Sequence, residues 1–305
     1  MLVHGTSTEP WKFSRFEDTY LGEEAMKAVR QDVNETPETR SKGLTILRNM
    51  LTENKDLRPC TDDDFLLRFL RVAKFDCSKA YDRILRYYGL RKKFPHLFRK
   101  YLPSKTRMAK QLKLFHVSPY RAKNHSAVVI NYHGMFDPSI LPMEEKFALD
   151  MMAAERGLDN PLTQMCGANV ILDFKGFTFF KMLALTPQVV RMYVEFLQNS
   201  FPVRLKSIIF LNAPTIFTLI FNLFYPVLSK KLKSRLLVHS TNESWDKLHA
   251  VIPPEILPEE YGGLLKNSQL KDLCEGIEDQ EERFAQQAKY GFLKVLQREE
   301  KNLEC

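Results

Sequence analysis

Four short apolar runs decide the fold of this chain: SAVVINY (126–132), NVILDF (169–174), KSIIFLN (206–212) and the weaker RLLVH (235–239). They are rich in β-branched and aromatic residues, which is typical of strands buried on both faces. The stretches between them have helical periodicity, so strands and helices alternate along the chain. This alternation predicts an α/β domain whose sheet is mainly parallel.

The rest of the sequence divides into three segments around this domain. Residues 1–22 are polar and lack a period, so we expect a flexible tail. Residues 23–101 have helical patterning and are expected to form a small helical module. The α/β domain then covers residues 102–266, and the charged residues 267–305 are expected to form a C-terminal helical extension.

Composition narrows the class of partner. The chain has 305 residues, of which 44% are hydrophobic and 27% are charged, as in an ordinary globular protein. Its net charge of +8 favours a polyanionic partner, either a nucleic acid or an anionic membrane surface. The five cysteines have no CxxC or metal-ligand spacing, and the N-terminus has no apolar signal region. We therefore expect a cytosolic protein with reduced thiols, no metal and no cofactor.

Residues 207–229 contain no charged side chain over 23 positions, a length that is sufficient to cross a membrane. Pro214 and Pro226 argue against a spanning helix, because the residue before a proline is disfavoured in helical conformation. We expect the run to divide into a strand, a turn and an apolar helix over about 216–228. Such a helix is either a buried core element or a lid that covers an apolar cavity with one face.

Charge is unevenly distributed around this apolar helix. No Asp or Glu occurs between Glu195 and Glu243, whereas the same stretch contains six cations: Arg204, Lys206, Lys230, Lys231, Lys233 and Arg235. We interpret them as an uncompensated basic surface. Near an anionic bilayer each cation contributes about 1 kcal/mol to binding. No aromatic–basic RNA motif or zinc finger accompanies them, which favours a membrane over a nucleic acid.

The chain contains no phosphate-binding glycine loop, no HExxH helix and no GxSxG elbow. Its seven histidines have no metal-ligand spacing. Asp173 ends a predicted strand, where catalytic carboxylates occur in α/β folds, although a structural carboxylate is the simpler interpretation. We predict no catalytic residue, and a hydrolase or isomerase acting on a lipid stays open as a third hypothesis.

Four longer pieces carry a family resemblance: DDDFLLRFLRVAKFD (62–76), VILDFKG (170–176), the stretch from LTPQVV to FLNAP (185–214) and LPEEYGG (257–263). Together they resemble the CRAL-TRIO (Sec14-like) family, in its branch of tocopherol and retinaldehyde carriers, in order and in spacing. The resemblance implies a helical N-terminal module packed on an α/β lipid-binding domain. It also implies a mobile gate helix at about residues 215–228.

The resemblance further assigns site residues. It places a lipid-binding pocket at Phe147, Leu185, Phe196, Leu197, Ile208, Phe217 and Phe221. It places a basic site for phosphoinositide headgroups at Arg204, Lys206, Lys231, Lys233, Arg235 and Lys74. Lys74 is adjacent to a basic position of the family that is Ala73 here. Asp150 and Ala154 stand where tocopherol carriers have small hydroxyl residues, so we expect a reshaped pocket.

These observations lead to two main hypotheses. The first is a soluble carrier that is not an enzyme, transfers a hydrophobic tocopherol- or retinoid-like lipid, and docks transiently on phosphoinositide-containing endosomal or other anionic membranes. The alternative is a phosphoinositide-binding trafficking adaptor that transfers no ligand. Exchange of a bound lipid between vesicles distinguishes the two, because only the carrier requires it.

Overall fold

A six-stranded mixed sheet lies at the centre of the structure. The computed structural model describes residues 13–98, 101–106, 111–215, 217, 221–222, 225–241 and 243–301. The strands are β1 (Leu57–Arg58), β2 (Phe115–Val117), β3 (Ala127–Asn131), β4 (Ala168–Asp173), β5 (Leu205–Ala213), β6 (Leu236–Ser240), β7 (Lys271–Asp272) and β8 (Gly291–Phe292). In the large sheet their order is β6-β5-β4-β3-β2-β7, and β1 pairs separately with β8.

The centre of the large sheet is parallel. The β3–β4, β4–β5 and β5–β6 pairs are parallel, whereas β2 runs antiparallel to both β3 and β7. The four apolar runs form these four parallel strands, which confirms the α/β fold with a mainly parallel sheet. The two antiparallel strands were not predicted, because three and two residues are too few to reveal an alternating pattern.

Among the described residues, five α-helices precede the sheet: α1 (Glu23–Val33), α2 (Pro37–Thr52), α3 (Asp63–Val72), α4 (Cys77–Lys93) and α5 (Pro95–Phe98). Thr36 Oγ1 caps α2 by accepting a hydrogen bond from the Thr39 backbone N–H at 3.1 Å. The buried face of α4 carries the apolar residues that its 3.6-residue period predicts, Ala80, Ile84, Tyr87 and Tyr88. Helices α2 to α5 therefore share one apolar core built around that face, whereas Met26 and Val33 of α1 pack against Leu162, Met165 and Cys166.

In the part of the chain that the structure describes, eight α-helices follow: α6 (Met143–Gly157), α7 (Pro161–Cys166), α8 (Phe179–Leu183), α9 (Pro187–Glu195), α10 (Lys230–Lys233), α11 (Asp246–His249), α12 (Glu281–Gln287) and α13 (Leu293–Lys301). A single π-helical turn, Phe196–Ser200, continues α9. The C-terminal segment packs on earlier parts of the chain. Arg283 pairs with Asp159 at 2.6 Å, and the Leu293 N–H donates to the Asp56 carbonyl at 2.9 Å.

The two faces of the sheet have different neighbours, as the alternation of side chains along a strand requires. One face packs against the residues that precede the C-terminal extension. Its members are Val128, Ile130, Ile171, Ile209 and Leu211, which contact Leu248, Ile252, Ile256 and Leu257. The opposite face is covered by α6, α9 and the π-helical turn, and the candidate site lies between them.

The described part of the predicted N-terminal tail, residues 13–22, is held against the α/β domain. The Phe16 N–H donates to the Pro119 carbonyl at 2.8 Å. Fully buried Arg121 donates through Nη2 to the Phe16 carbonyl at 2.7 Å, and its guanidinium lies over the Phe16 ring at 5.2 Å. A buried guanidinium needs such acceptors, so it fixes this segment, whereas polar composition alone suggests a tail.

The uncharged run 207–229 begins as a strand rather than as a helix. β5 extends to Ala213, which confirms the predicted division before Pro214. Across the portion of the chain that the structure describes, no helix has the length and apolarity needed to span a bilayer. The described cysteines, Cys60, Cys77, Cys166 and Cys274, are free thiols.

Candidate functional site: an apolar cavity beside a basic cleft

A cavity of about 280 Å³ lies between the sheet and the helices that cover it. Its floor consists of alternate residues of three parallel strands, including Val129 of β3, Val170 of β4 and Ile208 of β5. These side chains point to the same face because successive residues of a strand alternate. Ala153 and Ala154 of α6 lie opposite, and their small side chains leave the space open.

Six of the seven predicted pocket residues line this cavity: Leu185, Phe196, Leu197, Ile208, Phe217 and Phe221. Phe147 does not. It is fully buried behind the wall, where its ring packs edge-on against Tyr193 and Phe196 at centroid distances of 5.3 and 5.7 Å. Phe147 therefore supports the lining without contacting the space.

Of the 14 residues of the predicted gate helix, 215–228, the structure describes eight, namely 215, 217, 221, 222 and 225–228, and the other six lie outside the described residues. Tyr225–Val227 form a single 3₁₀ turn, and the rings of Phe217 and Phe221 stack at 5.7 Å. Both also contact Phe210 of β5, at 5.1 and 5.5 Å. The described part of this segment thus closes the cavity with aromatic rings.

A buried ion pair lies within helix α6, which forms part of the cavity wall. Lys146 Nζ and Asp150 Oδ1 of α6 are 2.6 Å apart, and the Lys146 side chain has no solvent exposure. Tyr193 donates its hydroxyl to Asp150 Oδ2 at 2.5 Å. Burial, and then the charge of Asp150, raise the pKa of Tyr193 well above its ordinary value, so the hydroxyl stays protonated. Both oxygens of Asp150 are thereby occupied by groups of the protein.

Two other polar side chains line the cavity at the end of β3. Asn131 is 6% exposed, and its Oδ1 has no hydrogen-bond partner. His133 is buried against the rings of Phe174 and Phe177. Burial, followed by the charges of Lys146 and Lys181, holds the pKa of His133 well below its ordinary value, so the ring is neutral.

Five of the six predicted headgroup cations come together outside the cavity: Lys74, Arg204, Lys206, Lys231 and Arg235. Burial lowers the pKa of Lys231, and Arg235, Arg83, Arg204 and Lys74 lower it further. Burial and the charge of Arg204 also lower the pKa values of Lys206 and Arg235. Such lowering requires positive charges that are close enough to repel one another.

Arg83 of α4 is a sixth member of this group that sequence reasoning missed. Burial, with a smaller contribution from Arg86, lowers the pKa of Arg83 to about 10. Its Nη1 donates to the Phe201 carbonyl at 2.9 Å. Several other cations lie on α4, so the local sequence does not single Arg83 out. We call Lys74, Arg83, Arg204, Lys206, Lys231 and Arg235 the basic cleft.

The sequence-based interpretation that these cations are uncompensated is wrong for Arg204. Asp32 of α1 accepts from Arg204 Nη2 at 2.7 Å and from Lys74 Nζ at 3.1 Å. Burial acts to raise the pKa of Asp32, but these two partners outweigh it and lower that pKa to about 2. The acid comes from 172 residues earlier in the chain, so the local stretch does not reveal it.

Lys233, the remaining predicted headgroup residue, points elsewhere. Its Nζ lies 4.9 Å from the centroid of the Tyr225 ring and donates to the Pro226 carbonyl at 3.3 Å. These contacts hold the end of the gate segment against α10. Lys233 is therefore placed to position the gate segment, apart from the cleft.

The basic cleft and the cavity share their structural elements. Leu205, Leu232 and Leu236 line the cavity, and each is followed or preceded directly by a cleft cation. Neighbouring residues on β5, α10 and the start of β6 thus face the cavity and the cleft alternately. A ligand bound in one site contacts the elements that form the other.

Asp173 has a structural role at the end of β4. Its Oδ1 accepts from Asn212 Nδ2 at 2.7 Å and from the Lys175 N–H at 2.9 Å, and its Oδ2 accepts from the Tyr261 hydroxyl at 2.8 Å. These bonds join β4, β5 and the LPEEYGG turn. Over the described ranges, the His, Cys, Asp and Glu side chains form no group of three or more that is suited to a metal ion.

The fold and the site define a class: an α/β protein that encloses an apolar cavity behind an aromatic closing segment, with a cluster of cations outside the same wall. Residues 113–263 match the CRAL/TRIO domain model, and residues 36–108 match the model described as Pinta-like, UBA domain.

Known proteins resemble this chain over most of its length. Human alpha-tocopherol transfer protein-like is 31% identical over 244 residues, covering 80% of this chain and 71% of that protein. Rat clavesin-2 is 29% identical over 252 residues, covering 80% and 75%. The crystal structure of Sfh5 has a TM-score of 0.49 and 16% identity, covering 84% of this chain and 92% of that chain. The chain belongs to the CRAL-TRIO family of lipid-binding and lipid-transfer proteins.

Proposed function

We propose that this protein is a carrier for a hydrophobic small molecule, and the observation that supports this most directly is the apolar cavity. Apart from the residues at the end of β3 and the satisfied Asp150–Tyr193 pair, its described lining is almost entirely aliphatic and aromatic. Burying a lipid there gains about 0.8 kcal/mol for each methylene removed from water. The protein acts by binding and shielding, without chemical conversion of the ligand.

Membrane docking is the second part of the proposal. The basic cleft supplies six cations of the kind that recognise phosphoinositide headgroups, and Asp32 offsets only part of their charge. Beside the closing segment, Phe179, Phe180 and Leu183 of α8 are 54%, 77% and 59% exposed. Exposed apolar side chains suit the interface of a bilayer, and the cations of the cleft suit anionic headgroups. We propose transient docking of a cytosolic protein on endosomal or similar membranes.

Docking and ligand exchange are coupled in this proposal through the shared wall. A headgroup held by Lys231 and Arg235 contacts the residues that directly precede Leu232 and Leu236, both of which line the cavity. Because the closing segment leads directly into α10, a headgroup in the cleft favours arrangements in which the cavity opens toward the bilayer. The apolar ligand then moves between two apolar environments.

Native mass spectrometry tests the carrier function first. Protein purified from eukaryotic cytosol is measured intact, and any bound molecule is extracted and identified. A stoichiometric hydrophobic ligand is the expected result and would name the cargo. An empty protein that still binds phosphoinositide vesicles would overturn the carrier proposal in favour of a trafficking adaptor.

Vesicle flotation tests the docking function. The triple variant Arg204→Glu, Lys231→Glu, Arg235→Glu should bind phosphoinositide vesicles roughly a hundredfold more weakly, from about 1 kcal/mol for each lost cation. The control variant Lys42→Glu, Lys55→Glu, Lys266→Glu changes the net charge equally at exposed sites outside the cleft. Equal loss in both variants, with thermal stability retained, would contradict a specific headgroup site.

A further inference from the structure

The cavity contains one amide whose hydrogen-bonding capacity the protein does not use. Asn131 follows Val129 by two residues on β3, so both side chains face the cavity. It is 6% exposed, and its Oδ1 accepts no hydrogen bond. Buried amide oxygens in folded proteins are nearly always hydrogen-bonded, so an unpaired one beside an empty space calls for a partner.

The other polar groups nearby do not supply that partner. Tyr193 directs its hydroxyl to Asp150, and Lys146 is bound to the same carboxylate. Thr163 lines the cavity too, but its Oγ1 is bound by Arg121 Nη2 at 3.1 Å and makes no hydrogen bond to Asn131 Oδ1. The neutral ring of His133 is two residues further along the chain and packs against aromatic rings.

We propose that Asn131 is the headgroup site of the cavity and that the ligand is a lipid alcohol. The ligand hydroxyl donates to Asn131 Oδ1, and its hydrocarbon part lies against the apolar lining formed by residues such as Val170 and Ile208. This inference rests on the carrier function proposed above, and it adds the chemical class of the cargo and the residue that selects it.

The charges around Asn131 favour an alcohol over other polar lipids. A carboxylate requires a free cation, but Lys146 is already paired with Asp150, and that acid repels a second one. An ammonium group would be buried close to Lys146, without an acid of its own. An ester or an ether has no hydrogen to donate, so the Asn131 oxygen stays unpaired in their complexes.

A pair of probes separates these classes. Farnesol and farnesyl methyl ether have the same chain, but only the alcohol donates a hydrogen bond. Isothermal titration of the full-length protein with each probe should give a dissociation constant about tenfold lower for farnesol, the effect of one buried hydrogen bond. Equal affinities would overturn the alcohol class while leaving the carrier function intact. If neither probe binds, the alcohol class and the carrier function are both rejected.

Substitution then assigns the preference to a residue. Asn131→Leu should abolish the preference, because both probes then meet an apolar wall, and its melting temperature should not fall. The control Asn169→Leu removes the same amide from the neighbouring strand, where it bonds Ser126 at 2.7 Å and Ser207 at 2.8 Å. That control should lower the melting temperature and keep the preference. A preference retained in Asn131→Leu would overturn the assignment, and a water molecule on Asn131 would then be the simpler partner.

Discussion

The apolar cavity and the basic cleft lie on two sides of one wall, and their charges are balanced in opposite ways. In the cavity wall, Lys146 and Asp150 form a one-to-one pair, and Tyr193 occupies the remaining carboxylate oxygen. In the cleft, Asp32 pairs with two of the six cations, so positive charge remains in excess. Under the proposed function, the cavity lacks only the headgroup of its ligand, whereas the cleft takes an anion from outside.

This difference reflects the environments of the two sites. A charge without solvent exposure must be paired, because desolvation costs several kcal/mol for each ion. Cations at a partly exposed surface keep water as a partner and tolerate mutual repulsion at the cost of lowered pKa values. Excess charge thus persists where it can attract a membrane and is absent where it would oppose a lipid.

The largest expected effect comes from breaking the pair in the cavity wall. Asp150→Asn leaves Lys146 fully buried without a counter-charge, which should lower the free energy of unfolding by about 3 kcal/mol or more in urea denaturation. The surface pair Asp82–Arg86 has the same spacing on a helix, and Asp82→Asn should cost less than about 0.5 kcal/mol. Similar losses of unfolding free energy in the two variants would mean that the buried pair is no more important for stability than the surface pair.

The pH dependence of stability gives the next largest effect. His133 is neutral in the folded state because burial, Lys146 and Lys181 lower its pKa, so the unfolded chain binds more protons below about pH 6.5. The contribution of this group to stability is complete above that pH and is lost progressively as the pH decreases toward 5. His133→Phe should remove this loss from urea titrations at pH 7 and pH 5.

A matched histidine tests that assignment. His116 also has a pKa lowered by burial, but it is only half-buried, so His116→Phe should flatten the pH profile less than His133→Phe. An unchanged pH profile for His133→Phe would mean that the folded protein tolerates a protonated ring at the end of β3. The cavity, like the cleft, would then tolerate an unpaired positive charge.

Some features of the two sites could be predicted from the sequence, and others depend on tertiary packing. The parallel strands follow from local patterns, since β-branched runs are properties of a few consecutive residues. The family resemblance supplied the pocket and cleft positions. The roles of Asp32 and Arg83 in the cleft could not be predicted, because both residues reach the cleft only through the tertiary packing of α1 and α4. The position of Phe147 behind the cavity wall and the unpaired oxygen of Asn131 also depend on side-chain packing, which the sequence does not show.

The smallest expected effect concerns Asp32, and it decides how the cleft works in the free protein. The carboxylate bridges Arg204 and Lys74, in the place where an anionic headgroup would be held. If Asp32 competes with the headgroup, Asp32→Asn should tighten binding to phosphoinositide vesicles two- to fivefold, within about 1 kcal/mol for one charge. Because Asp32 is half exposed, the lost ion pairs should cost less than about 1 kcal/mol of stability.

Glu53→Gln is the matched control for this measurement, since it removes one exposed acid from the end of α2 and changes the net charge equally. Tightening by Asp32→Asn beyond that of Glu53→Gln identifies competition at the cleft. Weaker binding would instead mean that Asp32 orients Arg204 for the headgroup. In that case the arrangement of the cleft depends on the Asp32–Arg204 ion pair, just as the cavity wall depends on the Lys146–Asp150 pair.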